Sequence, residues 1–374
     1  ITATITSLGI CLERTTSFLL VTIMEEFGVD RETASWPLSI MKSLGSVTGL
    51  FVGLLQKRYP IRHIMLVGSV LTWAGVLTSG FATSTGWLIL TMGVIHGTGS
   101  GTMYVTTKYF AMMYFDKLRG VAMGITSLGS SVAGFVFPKF LLYLGDTYSF
   151  EGSLFILGAI SMNITSLAYL LKVPPWCKPT KQHESMESIP SLSSACATEL
   201  GIHQQEPKEK ALLVQSLLRS SSVVHTPIFY VVILSAAVSQ VFEICFLSSM
   251  TDFCQDRGLT TTDAVWLTSN FTLTGIFGRL CVPLVADKGF LRRSTLLMLL
   301  NLLLASVIMS APCATTYWSL AAIEAFASIF SSSVGVMHDV VAVDYFGLER
   351  LPMVYGIIGV VKAPLQLCNP LILG

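Results

Sequence analysis

Apolar residues along the chain gather into eleven long stretches, at about 2–26, 35–56, 64–82, 86–110, 120–143, 151–171, 226–251, 264–286, 294–311, 316–343 and 352–373. A hydrocarbon core of roughly 30 Å takes about 20 helical residues at 1.5 Å of rise each, and these stretches meet that length repeatedly. The pattern predicts an all-α membrane protein crossing a bilayer many times. Between the sixth and seventh stretches, residues 172–225 are rich in Ser, Pro, Glu, Gln and Lys and cannot bury a core. They read as a flexible linker. The chain divides accordingly into an N-terminal half at 1–172 (spans one to six), a linker at 173–225, and a C-terminal half at 226–374 (spans seven to eleven).

The halves repeat. A shift of 230 positions sets Gly45 on Gly275, Arg58 on Lys288 and Arg62 on Arg292, and a shift of 231 sets Tyr114-Phe115 on Tyr345-Phe346 and Arg119 on Arg350. Parallel repeats about an axis normal to the membrane build one large class of secondary transporters. Span six, shifted likewise, would begin near position 382, so a twelfth span is expected to be truncated. Ile1 stands inside an apolar run, which suggests a fragment trimmed at both ends.

Charge adds an orientation. Lys57, Arg58, Arg62, Lys117, Arg119, Lys288, Arg292, Arg293 and Arg350 fall on one set of loops together with the basic residues of the linker, whereas the opposite loops hold only Arg31 and Arg257. Basic residues near span ends stay in the cytoplasm, which predicts that the linker and loops 57–63, 111–119, 287–293 and 344–351 are cytoplasmic. Loops 28–34, 145–150 and 252–263 are then outside. A composition of 52% hydrophobic and 12% charged residues excludes a single water-soluble domain. The basic residues face lipid headgroups and form no nucleic-acid footprint. With no catalytic triad, metal cluster or G-x-x-x-x-G-K-[ST] loop in the sequence, neither an enzyme, a metal site, a cofactor nor a nucleotide-driven pump is expected.

Several motifs carry a resemblance. Gly53-Leu54-Leu55-Gln56-Lys57-Arg58-Tyr59-Pro60-Ile61-Arg62 resembles the loop motif between spans two and three of major facilitator transporters, with Lys57 at the usual acidic position, and Ala286-Asp287-Lys288-Gly289 keeps that acid in the second half. The run from Tyr114-Phe115-Asp116-Lys117-Leu118-Arg119 through Gly120, Gly124 and Gly129 is similar to the span-five signature of the monocarboxylate transporters. So are Glu151-Gly152-Ser153-Leu154-Phe155-Ile156-Leu157-Gly158, Gly275-Ile276-Phe277-Gly278-Arg279, and Asp344-Tyr345-Phe346-Gly347-Leu348-Glu349-Arg350-Leu351. The resemblance implies a major facilitator fold of two six-helix halves related by a pseudo-two-fold axis. It also implies a plasma-membrane location and an ancillary single-span membrane glycoprotein as a partner.

Charges inside spans are functional candidates, because an ionised group at mid-bilayer costs about 2.5–3.5 kcal/mol unless it faces water or a partner. Arg279, deep in span eight, has the planar fork that holds a carboxylate through two parallel hydrogen bonds, and the resemblance implies the same role. Arg14 in span one is the candidate replacement for a lysine that lactate carriers of the family place there. Glu13 and Arg14, adjacent on a helix, point about 100° apart. Gly275 stands where the proton-coupled carriers have an acid. Tyr104 and Phe277 are candidate pocket aromatics. Glu243 and Glu324 are candidate proton carriers, since a buried carboxyl can hold a proton. Asp339 and Asp344 are expected in a gate at the linker end with Arg350, Arg119 or Lys117, and Lys362 is a basic position of span eleven. His96 and His338 read as packing residues.

These observations point to a transporter of small organic anions, monocarboxylates first, working by alternating access and open to proton coupling. A carrier of another solute, such as aromatic amino-acid derivatives, and a membrane sensor or scaffold that transports nothing are the alternatives.

Overall fold

The structure is a computed structural model and describes residues 1–174, 176, 229–239, 246, 261–314 and 316–368. Residues 173–231 form one compact unit and residues 1–172 with 232–374 another. Most of the expected linker, span seven beyond Ser239 with Glu243, and the 252–260 part of an expected outside loop lie outside the described residues.

Every regular element described is a helix. Spans two, three and five are continuous, at Arg31–Leu55, Ile61–Ser79 and Arg119–Thr147. Spans eight to eleven are Thr261–Asp287, Arg293–Ser310, Tyr317–Phe346 and Leu351–Leu367. Span seven begins with Phe229–Ser239. Among the described residues six helical stretches, with Phe150–Leu170 taken as one, are long and apolar enough to cross a membrane by length and composition.

Three spans expected as single helices come in pieces. Span one is divided into Thr2–Gly9, Cys11–Arg14 and Thr16–Phe27, and span six into Phe150–Ser161 and Asn163–Leu170. Span four runs from Thr85–Leu88 through a π-helical stretch, Ile89–His96, into Gly97–Tyr114. Such a π insertion widens the backbone and re-aims the side chains beyond it. The ends obey ordinary rules. Gly28 (φ 59°) supplies the left-handed stop after span one, and Thr316 with Ser319 forms a reciprocal cap on span ten.

Packing inside the first half joins an apolar cluster, including Leu12, Leu19, Met41, Met92 and Leu154, to buried hydroxyls that tie helices together. Ser69 and the Trp73 indole both meet Thr165 at 3.0 Å, and Ser79 donates to Thr91 at 2.9 Å. Small and hydroxylated residues suit helix contacts in lipid, where burying apolar side chains brings little net gain.

Two antiparallel seams join the halves. Spans two and eleven meet along Gln56 Nε2 to the Glu349 carbonyl (2.6 Å), Ser43 Oγ to the Ala363 carbonyl (3.2 Å) and Ser46 Oγ to Gln366 Oε1 (2.9 Å). Between these bonds a Cβ at Gly49 would stand 2.5 Å from Gly356 N and 2.9 Å from the Pro352 carbonyl. Spans five and eight meet in the same fashion, with Gly124 against the Arg279 carbonyl. Under the repeat, span two corresponds to span eight and span eleven to span five. The two seams therefore exchange under the repeat, as a two-fold axis requires.

Gly49→Leu is expected to force backbone apart across the first seam, at a cost of about 1–3 kcal/mol, and to lower the melting temperature of the purified protein in detergent. Gly335→Ala, whose Cβ meets nothing within 4 Å, is expected to leave it unchanged. Equal melting of the Gly49→Leu variant and its parent would show that the seam is looser than described.

Candidate functional site

Span one is irregular where its charges lie. Ile10 and Thr15 have φ of −110° and −109°, and the Thr15 hydroxyl turns back onto the carbonyls of Cys11 and Leu12 at 3.1 Å. Threonine competes in this way with the helix ladder. The short turn between the breaks sends its two adjacent charges to different helices. Glu13 accepts from Ser100 Oγ of span four at 2.9 Å, beside Lys42, whose ammonium donates to Thr16 Oγ1 at 3.2 Å. Arg14 donates through Nη2 to Ser130 Oγ of span five at 2.6 Å.

Arg279 arrives from the other half and donates through Nη1 to Ser131 Oγ. Neighbouring serines of span five thus receive one guanidinium from each half. Gly134, one turn further on, lies close to both sides, since a Cβ there would stand 3.8 Å from Arg14 Cδ and 3.6 Å from Thr272 Cγ2. Arg14 is exposed and Arg279 half-buried. Two cations brought to one stretch of one helix create a field that draws an anion, and each fork can hold a carboxylate through parallel bonds. Gly275 is pressed onto Ser328 and Ser332 of span ten, whose hydroxyls would lie 2.9 and 2.6 Å from a Cβ. A side chain at this position would require both hydroxyls to shift.

Phe277 departs from the expected role. The residue is 63% exposed and, two positions from both Gly275 and Arg279, lies on the opposite side of the helix from them. It joins the exposed apolar stripe of Trp266, Leu273 and Leu284 and does not line the arginine site. Tyr104 also stands apart from Arg14 and Arg279. Its hydroxyl accepts from Lys108, in a cluster completed by Asp339 and Tyr355.

At the linker end of the helices, Asp287 at the close of span eight accepts from the backbone N–H groups of Val121 (2.9 Å) and Gly120 (3.3 Å) at the start of span five. A carboxylate placed on the positive end of a helix is stabilising. Arg293 joins Asp287 (3.0 Å) to both carboxylate oxygens of Asp344 (2.9 Å), and Arg119 bridges Asp116 (2.7 Å) and Asp344 (3.7 Å). The expected pairing of Asp344 with Arg119 is present. Arg350 stands exposed in the Leu348–Arg350 turn, and Asp339 pairs with Lys108 within its span in place of Arg350, Arg119 or Lys117. Arg293 and Asp287 take the place assigned to Arg350. The retained acid of Ala286-Asp287-Lys288-Gly289 was the signal for Asp287, and Arg293 carried none beyond its loop.

Glu324 is fully buried in span ten, and neither carboxyl oxygen has a hydrogen-bond partner among the described residues. Glu243 lies outside the described residues. Lys362 is half-buried in span eleven, within electrostatic reach of His338. His338 meets Ser235 at 2.9 Å, and buried His96 meets the Thr72 carbonyl at 2.9 Å, as expected for packing residues. The described residues hold no cluster of His, Cys, Asp and Glu suited to a metal.

Comparison with known proteins gives this geometry a lineage. The chain is 25% identical to human monocarboxylate transporter 14 over 385 residues, covering 90% of this chain and 75% of that protein. It is 29% identical to chicken monocarboxylate transporter 9 over 149 residues, 40% of this chain and only 29% of that one. Chicken monocarboxylate transporter 4 is 25% identical over 77% of this chain, a stretch that makes up 56% of that relative. The crystal structure of the human organic anion transporter MFSD10 (TETRAN) superposes with a TM-score of 0.70, covering 99% of this chain and 92% of that one at 14% identity, which shows a shared fold. Residues 3–364 match the Major Facilitator Superfamily, and the chain belongs to that superfamily of multi-pass membrane transporters.

Proposed function

We propose that this chain carries small organic anions, monocarboxylates first among them, by alternating access, with Arg14 and Arg279 as the carboxylate-binding pair. The observation that carries the reading is the arrival of one guanidinium from each half on adjacent serines of span five. A guest bound between them touches both halves, so its binding energy acts directly on their relative movement. The names of the relatives, monocarboxylate transporters and an organic anion transporter, support the same class of guest. The linker end is cytoplasmic on this reading, supported by the basic residues of its loops, and the family resemblance supports the plasma membrane.

The test is uptake of a carboxylate panel into proteoliposomes. A charge-assisted hydrogen bond contributes about 1.5–3 kcal/mol, so Arg279→Ala is expected to lower uptake at subsaturating substrate by at least about tenfold. Arg279→Lys, which keeps the charge and loses the fork, should retain an intermediate rate. Parent-like uptake by Arg279→Ala would remove the site assignment.

Coupling to protons rests on Glu324, a buried carboxyl without a neighbouring cation among the hydrogen-bonded contacts described. A proton carried with the anion enters down its own gradient, so acid on the outer side should accelerate uptake by the parent. Glu324→Gln, unable to release a proton, is expected to flatten that dependence. A Gln variant that still responds to external acid as the parent does would place the coupling elsewhere.

A further inference from the structure

Lys108 and Asp339 make an ion pair of 2.6 Å between span four of one half and span ten of the other. They are 6% and 5% exposed, and the pair has a complete shell. The second oxygen of Asp339 accepts from the Tyr355 hydroxyl of span eleven at 2.7 Å. The Lys108 ammonium donates to Tyr104 and lies 4.0 Å from the Tyr104 ring centre and 5.2 Å from that of Tyr355. Lys108 lies six residues inside the end of its helix and Asp339 seven, about 9–10.5 Å of rise. Arg279 lies eight residues inside the end of span eight, and Ser131 twelve inside the start of span five. The pair therefore occupies the level between the arginine site and the linker-end network.

We propose that Lys108 and Asp339 are the positioning pair that holds the linker side of the transport path shut and that must part and re-form in every cycle. This rests on the transport reading above and adds to it the contact that sets which side is open. The linker-end network is the weaker candidate, because its Arg119–Asp344 and Arg293–Asp344 pairs join side chains 24–29% exposed, solvated ion pairs contribute little, and its buried carboxylate, Asp287, is also held by backbone N–H groups of span five. A buried pair behaves differently. Removing one partner leaves an uncompensated charge in a low-dielectric site, which strongly favours any arrangement that lets water in. Opening the linker side hydrates both groups, so the same pair is stable closed and tolerable open, the property a two-state latch needs.

The experiment uses the full chain in lipid nanodiscs with spin labels introduced as non-canonical amino acids at Tyr59 and Phe290, exposed residues on the loops after spans two and eight. Their separation is measured by double electron–electron resonance in the parent, Asp339→Asn, Lys108→Gln and the exchanged Lys108→Asp/Asp339→Lys. The parent should show one short distance, each single variant a population shifted to longer distance by several ångströms, and the exchange a return toward the parent. Parent-like distributions in the single variants overturn the proposal, as does an exchange no better than the singles. If a single variant fails to fold, the exchange still decides. Carboxylate uptake is followed in the same preparations. Distances that respond while the parent moves no carboxylate sink the transport reading and leave the latch standing, whereas normal parent uptake with unresponsive distances sinks the latch alone.

Discussion

The approach of backbone to backbone between the two halves is the constraint on which the rest depends. Lipid offers apolar side chains no reason to leave it, so helices that must stay together do so through close van der Waals contact and hydrogen bonds across short distances. At Gly49 and Gly356, and again where Gly124 meets the Arg279 carbonyl, main chains lie too near for any side chain to intervene. The second of these contacts also fixes the height at which the Arg279 guanidinium leaves its helix. The binding pair owes its placement to the same seam that joins the halves.

Above that seam the polar chemistry is arranged in levels. Arg14 and Arg279 meet span five deepest, Lys108 and Asp339 lie nearer the linker end, and the carboxylates of Asp287 and Asp344 are gathered there by Arg293. Each level takes groups from both halves, the last through Arg119 and the N–H groups of Gly120 and Val121. Sequence-distant charges are thereby made neighbours, and any relative movement of the halves changes their partners. An irregular backbone supplies part of the aim: the breaks around Cys11–Arg14 allow Glu13 to turn to span four and Arg14 to span five, beside the serine that Arg279 reaches.

Much of this was legible in the residues. Apolar length gave the spans, the repeat gave the pairing of span two with eight and five with eleven, and Arg279 was singled out by being an ion in a run of Gly and apolar residues. What was not legible follows from periods that sequence cannot phase. Phe277 sits two residues from Arg279, and only the observed packing of Gly275 and Gly278 on span ten tells which side of the helix is lipid. Asp339, expected beside Asp344 in a linker-end gate, lies seven residues from the end of span ten and turns to Lys108 of the other half. Its partner, Lys108, is more than two hundred residues away, and no local pattern links them. The π-helical stretch in span four likewise leaves no signature, since Ile89–His96 reads as ordinary apolar helix.

Lys57 stands where the second half keeps Asp287. The cost of that replacement is visible at the helix starts: span five is seated on a carboxylate, while span eleven is held on its side by a neutral amide, Gln56 to the Glu349 carbonyl. The repeat is thus unequal at its two seams: one has a carboxylate set on a helix start, and the other is tied by neutral hydrogen bonds along the length of spans two and eleven.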